Sequence, residues 1–174
     1  VAVVSRVHAF DPGSEQSALV IYDTDAQLVL RHGIYSNRDL LEQCRAWPFG
    51  PADAEAVFES MAPRGMPTSL QELETVHWAG RFYEVLEARG WTVGRLSRHK
   101  VKIHHGAFAG PKRAGEKRPS ADAIIRASLI DRFGDVGGKD AAIGRKAAPG
   151  PLYGIAADEW AALALAVAWT DGVR

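Results

Sequence analysis

Apolar positions along this chain recur in two rhythms, one residue in two and roughly one in three or four. Val1 to Phe10 is a strand-like run that ends on Asp11-Pro12-Gly13. A second run, Ala18 to Tyr22, follows close enough to return as a hairpin. Ala26 to Gly33 reads as a third strand with Thr24-Asp25 as its turn, which completes an antiparallel meander. Helical spacing then takes over from Asn37 to Ala46, with Ser36 or Asn37 as cap and Pro48 as stop. Ala56 to Met61 is short, apolar and bounded by turn residues, so it reads as a central strand, although Glu59 interrupts it.

The longest helical pattern runs from Leu70 to Arg89, with Leu73, Val76, Ala79, Phe82, Tyr83 and Leu86 as its apolar positions. Ser69 or Thr68 caps it, Glu72 completes a capping box with Ser69, and Gly90 ends it. Trp91 to Leu96 is the next strand. Arg98 to His105 alternates basic and apolar residues, and Gly106 to Pro119 is rich in Gly, Pro, Lys and Arg, so a mobile basic loop is expected over about 104–119. Ser120 to Phe133 has helical spacing with Gly134 as C′, Asp135 to Gly150 is a weakly patterned connection, and Ala156 to Ala168 is the last helix. No internal repeat appears, and the length suits one domain over 1–174.

Charge changes the picture only through its distribution. Lys plus Arg and Asp plus Glu number 21 each, so the total does not advertise nucleic acid. Between Arg95 and Arg118, however, eight basic residues face the single acid Glu116, the local excess expected of a segment that neutralises phosphates. Its candidate contacts are Arg98, Lys100, Lys102, His104, Lys112, Arg113, Lys117 and Arg118, with Arg64 from the loop before the long helix. His104 and His105 lack partners at zinc spacing and read as a solvated pair near phosphates. Cys44 is alone, which excludes an intrachain disulfide and suits a reducing cytoplasm. No apolar run approaches the roughly 20 residues of a membrane span, and no signal peptide is visible. A start at Val1 without an initiator methionine is expected of a trimmed or processed chain.

Asp11 is the residue on which candidate chemistry centres. Pro12 and Gly13 hold it at a strand end, where an unpaired charge cannot serve as core filler; it is a solvated turn residue or a ligand for a cation. Two other acids occupy informative places, Glu59 in the fourth strand and Asp158, followed by Glu159, at the start of the last helix. In that order, the segments Phe10-Asp11-Pro12-Gly13-Ser14, Val57-Phe58-Glu59 and Ala157 to Ala166 resemble the ribonuclease H-like nucleases, and more narrowly the RuvC-type Holliday junction resolvases. The stretch from Gly80 to Gly106 is similar as well, so the resemblance covers most of the chain.

The resemblance implies an α/β ribonuclease H-like fold: a mixed five-stranded sheet, antiparallel meander plus parallel strands, flanked by helices. It implies a metal-dependent endonuclease acting on four-way DNA junctions as a homodimer, with two Mg²⁺ ions per active site, Mn²⁺ substituting, and no small-molecule cofactor. Asp11, Glu59 and Asp158 are its implied catalytic metal ligands, with Glu159 as an additional candidate. A bacterial cytoplasm, or that of a phage host, is the implied location. One departure stands out: the family places a second ligand three residues after the first on the last helix, and here that slot holds Ala161.

The long helix, through Trp78, Phe82 and Tyr83, is the expected dimer contact, because two symmetric nicks call for two sites related by a two-fold axis. Other readings remain open at this point: a YqgF-type nuclease acting on RNA, or a DNA-binding module without catalysis, for which Ala161 speaks. A sugar-kinase-like ATPase also places an aspartate in a first hairpin but needs two such domains and more length. The plain alternatives are a helix-start acid for Asp158, an edge-strand surface residue for Glu59, against which the apolar Val57 and Phe58 speak, and a solvated loop for the basic run. Trp160 and Trp169 read as packing groups rather than base-stacking ones.

Overall fold

A computed structural model describes residues 5–48, 52–61, 68–107 and 117–173. Five strands, β1 (Arg6–Asp11), β2 (Gln16–Asp23), β3 (Leu28–Ser36), β4 (Ala54–Ser60) and β5 (Thr92–Ser97), form one sheet in the order β3-β2-β1-β4-β5. β1, β2 and β3 pair antiparallel through short turns, whereas β4 and β5 join parallel to β1. The parallel pairs need crossovers, and α1 (Asn37–Ala46) and α2 (Leu70–Ala88) supply them. This is the mixed five-stranded sheet the sequence implies.

The meander strands outrun their apolar patterns. β2 begins at Gln16 and β3 continues to Ser36, because Gln16 pairs with Ser36 and Ser17 with Tyr35. Ladder hydrogen bonds extend a strand wherever a partner lies alongside, irrespective of side-chain polarity. β3 lies at the sheet edge, which is why it tolerates Arg31 and His32 and leaves Leu28, Leu30 and Ile34 exposed.

Each face of the sheet has its own core. Phe10, Leu19, Ala56 and Phe58 pack against Leu40, Leu41 and Cys44 of α1 and Phe82 and Leu86 of α2. Val7, Ala9, Ala18, Val20, Tyr22, Val57 and Leu96 pack against α6 (Glu159–Thr170), in which every residue from Ala162 to Trp169 is buried. A helix apolar on all sides belongs inside the fold rather than on its surface. Trp169 lies across β5 at Gly94, where any Cβ would collide with the indole, and its Nε1 donates to Glu55 Oε2 at 2.8 Å.

Three segments differ from expectation. Arg98–His104 is a short helix, α3, capped by the Ser97 hydroxyl, with Val101 buried and Ile103 exposed. Seven residues make only two turns, too few for a helical period to show against the basic-apolar alternation. α4 (Ala121–Gly134) is capped by Ser120, which the apolar pattern places inside the helix, and Gly134 closes the helix rather than following it, with Asp135 at the positive φ of 40°. A Cβ at Gly134 would come within 3.3 Å of Ala142, so the glycine serves close packing. The connection beyond it is structured: a 3-10 turn, α5 (Gly138–Ile143), and a small ladder of β6 (Gly144–Arg145) with β7 (Ala148–Pro149).

α2 corrects the expected dimer contact. Phe82 is fully buried, its ring centroid 6.1 Å from that of Phe10, and so cannot serve a partner. Trp78 and Tyr83 are partly buried beneath Arg81 and Arg95, whose guanidinium carbons lie 4.3 and 5.3 Å from the respective ring centres. The exposed apolar residues are Leu70, Leu73 and Val76, in the first half of the helix.

Candidate active site

The hairpin between β1 and β2 is built to hold Asp11. A Cβ at Gly13 would strike the Gln16 carbonyl, so only glycine permits the turn. Gly13 N–H donates to Ser17 Oγ at 3.2 Å, Ser17 Oγ donates to Asn37 Oδ1 at 2.6 Å, and Asn37 Nδ2 donates back to the Gly13 carbonyl at 2.9 Å. Ser17 and Asn37 are buried, so this closed ring of bonds pins the turn to the start of α1. Asn37 is thereby a supporting residue that the sequence offered only as a helix cap; the cap itself is Ser36, which accepts from Asp39 N–H.

Register brings the second carboxylate alongside. Phe10 pairs with Phe58 across the parallel β1–β4 ladder, so Asp11 and Glu59 come next on strands about 4.8 Å apart. Ala9 and Val57 lie in the core beneath α6, and a period of two puts Asp11 and Glu59 on that same face. α6 crosses this face with its N-terminal end at the same edge. Asp158 precedes its first residue and lines, with Asp11, a cavity of about 230 Å³. Asp11 and Asp158 thus face one cavity at the end of β1, and Glu59 stands next to Asp11 on the neighbouring strand.

Their electrostatics follow from that crowding. Burial pushes the Asp11 carboxyl up to about 7, Glu59 and Asp158 push the same way, and Arg98 opposes them. Burial likewise raises Glu59, against the pull of Arg98 and Lys102. Arg98, the first residue of α3, lines the cavity and forks: Nη1 lies 3.1 Å from Glu59 Oε2 and Nη2 lies 2.7 Å from Asp122 Oδ1. Asp122, in the first turn of α4, is a cavity residue that sequence reasoning missed. Its only signal was an acid directly after the basic segment. Trp160 and Ala161 also line the cavity, so the slot three residues after Asp158 does open onto the site although its side chain carries no ligand.

Glu159 points elsewhere, which removes it from the candidate ligands. Its Oε2 accepts from Ala156 N–H at 2.6 Å and its Oε1 lies 2.9 Å from His32 Nδ1, with the side chain buried. Consecutive helical residues diverge by about 100°, so a helix that aims Asp158 at the cavity aims Glu159 into the fold.

The basic candidates separate as well. Arg98 is at the cavity and Lys102 is close enough for its charge to bear on Glu59, whereas Lys100 lies on α3 and Lys117 and Arg118 precede α4. Arg64, Lys112, Arg113 and most of the basic loop lie outside the described residues. His104 is corrected: its Nε2 sits 3.0 Å from Asp171 Oδ2, which also pairs with Arg132, beyond the C-terminal end of α6 and about 18 Å of helix away from Asp158. His105 is buried, with Nε2 3.0 Å from the Ala164 carbonyl and Nδ1 3.1 Å from Ser128 Oγ; burial lowers its pKa, so it packs as a neutral ring. The two histidines tie α3 to α6 and α4 rather than facing phosphates.

Asp11, Glu59 and Asp158 offer hard oxygen donors of the kind Mg²⁺ and Mn²⁺ take, and burial, with Glu59 and Asp158 nearby, penalises an Asp11 carboxylate that a cation would stabilise. The donor chemistry fits. The cage is not ready-made: among the described residues no three His, Cys, Asp or Glu side chains stand close enough together to hold an ion. Nor is any helix among the described residues long and apolar enough to cross a membrane.

No family model and no curated protein matches this sequence. Solved structures do. Thermus thermophilus RuvC in complex with a Holliday junction substrate is 14% identical and aligns over 97% of this chain and 96% of that one, with a TM-score of 0.55. A second Thermus thermophilus RuvC structure is 12% identical over 94% and 92% of the two chains, with a TM-score of 0.54. The likeness spans both chains nearly end to end, and at this identity it is a likeness of fold.

Proposed function

We propose that this chain is a metal-dependent endonuclease that cuts branched DNA, with the four-way junction as its substrate. The observation that carries the reading is the cavity shared by Asp11 and Asp158, with Glu59 beside Asp11 on the neighbouring strand, in a fold shared along its length with a protein solved on a Holliday junction. Two divalent ions bound there would supply an activated water and stabilise the leaving 3′-oxygen. Asp11, on the central strand, would be the shared ligand, with Glu59 on the strand side and Asp158 on the helix side, where the α6 dipole favours negative charge. Arg98, Lys100, Lys102, Lys117 and Arg118 meet the phosphates around the cavity.

Two symmetric cuts need two copies of the site, and the exposed Leu70, Leu73 and Val76 on α2 are the surface that favours a homodimer. A second reading, a DNA-binding module without catalysis, draws on the alanine at position 161 and on the absence of a ready-made cage among the described residues. Incubating the protein with a labelled four-way junction and a linear duplex, with and without Mg²⁺ or Mn²⁺, separates the two. Metal-dependent cutting of the junction alone supports the resolvase, and binding without cutting supports the module. Cutting of a structured RNA in place of the junction would favour the YqgF-type alternative.

A further inference from the structure

We propose that Arg98 is a built-in counter-ion that couples cation binding to DNA binding: in the free protein it is parked between Glu59 and Asp122, and it must leave Glu59 for a divalent ion to bind. This rests on reading the cavity as a metal-dependent nuclease site. The geometry has three parts. Glu59 is largely buried, with 14% of its side chain exposed, and its Oε2 is engaged by Arg98 Nη1 at 3.1 Å. A carboxylate oxygen paired with a guanidinium is not open to a cation, and the two positive charges repel. The second prong, Nη2, is held at 2.7 Å by Asp122, whose side chain is 75% exposed and therefore stands at the rim. When Arg98 releases Glu59, Asp122 keeps the guanidinium at the mouth of the cavity, where an arriving phosphate meets it.

Its position in the chain suits such a movement. Arg98 opens α3, whose backbone is fixed by the Ser97 cap and by buried Val101, while its long side chain is about one-third exposed and lies along the cavity wall. The forked guanidinium matches two carboxylates at once, and afterwards two phosphate oxygens, in a way an ammonium cannot. A cation on the carboxylates and a phosphate on Arg98 thus each favour the released state, so binding of one assists binding of the other. Asp122 is, on this account, a positioning residue for Arg98 and not a metal ligand.

The experiment measures Mn²⁺ binding by isothermal titration calorimetry without DNA, on the wild type, R98Q and R98K. R98Q removes the competing charge and is expected to bind Mn²⁺ about fivefold or more tightly than wild type. R98K keeps the charge but cannot span both carboxylates, so its Kd is expected between the other two. An R98K value matching the wild type would reduce Arg98 to a nearby charge and overturn the proposal, as would unchanged or weaker binding by R98Q. A second readout is junction affinity with and without Ca²⁺: Ca²⁺ is expected to tighten binding by a clearly larger factor in wild type than in R98Q, and equal factors overturn the coupling. Should wild-type protein show no Mn²⁺ binding that D11N abolishes and no junction cleavage, the nuclease reading itself fails and takes this inference with it.

Discussion

His32 Nδ1 and Glu159 Oε1 lie 2.9 Å apart across 127 residues of sequence, tying the edge strand β3 to the first residue of α6. The other oxygen of Glu159 closes the helix start through Ala156 N–H, beside Ala157 at a φ of 44° and Gly154 at 86°. Asp158 owes its direction to this clasp. Glu159→Ala is expected to lower stability by about 1–3 kcal/mol in chemical denaturation, since it removes both contacts of the buried carboxylate, to Ala156 N–H and to His32. Asp158→Asn is expected to leave stability nearly intact while abolishing cleavage, with Glu159→Gln costing activity less. A dead Glu159→Gln beside an active Asp158→Asn would show that the helix presents its other face to the ions.

Asp11 carries a pH signature. With its carboxyl raised to about 7 in the folded, metal-free protein, folding favours its protonated form. That contribution is fully present below the unfolded value of 3.8 and is lost as pH rises through about 7. Asp11→Asn should therefore be the more stable protein at pH 8 by on the order of a few kcal/mol, with the gap closing toward pH 4. It should bind junctions and not cut them. Mg²⁺ affinity of the wild type should fall as pH drops below 7, because the ion must displace the proton. An Asn variant that cuts at the wild-type rate would dismiss Asp11 as a ligand.

Ala161 lines the cavity three residues after Asp158, one helical turn further along the same face. Ala161→Asp should supply a further carboxylate and lower the Mg²⁺ concentration needed for half-maximal cleavage. The check is a Mg²⁺ titration of the cleavage rate, and a higher requirement would mean that the added charge repels DNA more than it holds metal.

α2 separates interface from core. Leu73→Glu with Val76→Glu should leave a folded monomer in analytical ultracentrifugation, because both positions are exposed. Phe82→Ala should cost about 3–5 kcal/mol of stability, as for other fully buried aromatic residues. A dimer that survives both glutamates would place the two-fold axis on another surface.

His8 is held between Trp47 and Trp91, with ring centroids at 4.7 and 4.8 Å, and its Nδ1 has no hydrogen-bond partner among the described residues. Burial, reinforced by Arg6 and Arg31, lowers its pKa to about 4. A base depressed in this way contributes stability above its unfolded value of 6.5 that is lost as pH falls toward 4, at most about 3 kcal/mol. His8→Leu should flatten that part of the acid-unfolding curve. A mutant curve parallel to the wild type between pH 6.5 and 4 would show that the ring is protonated without cost.

The amino-acid order by itself determined the three strands of the meander, the capping box of Ser69 with Glu72, and the placement of acids at a strand end and a helix start, because these depend on neighbours in the chain. Asp11, Glu59 and Asp158 stand out through their places in the chain together with the family resemblance of the segments that carry them. What only the tertiary structure decided is which way side chains turn and what they meet. Phe82 and the exposed Leu73 look alike in a helical pattern, and packing against Phe10 distinguishes them. Asp158 and Glu159 are adjacent acids, and the distant His32 claims one of them. His104 and Arg98 belong to one basic segment, yet α3 carries them to opposite ends of α6, one to Asp171 and the other to the carboxylates. Asp122 enters the site because α4 packs beside α6, and Asn37 because a turn 24 residues earlier in the chain folds back onto it. Such pairings depend on contacts distant in sequence, and no local pattern of hydrophobic and polar residues encodes them.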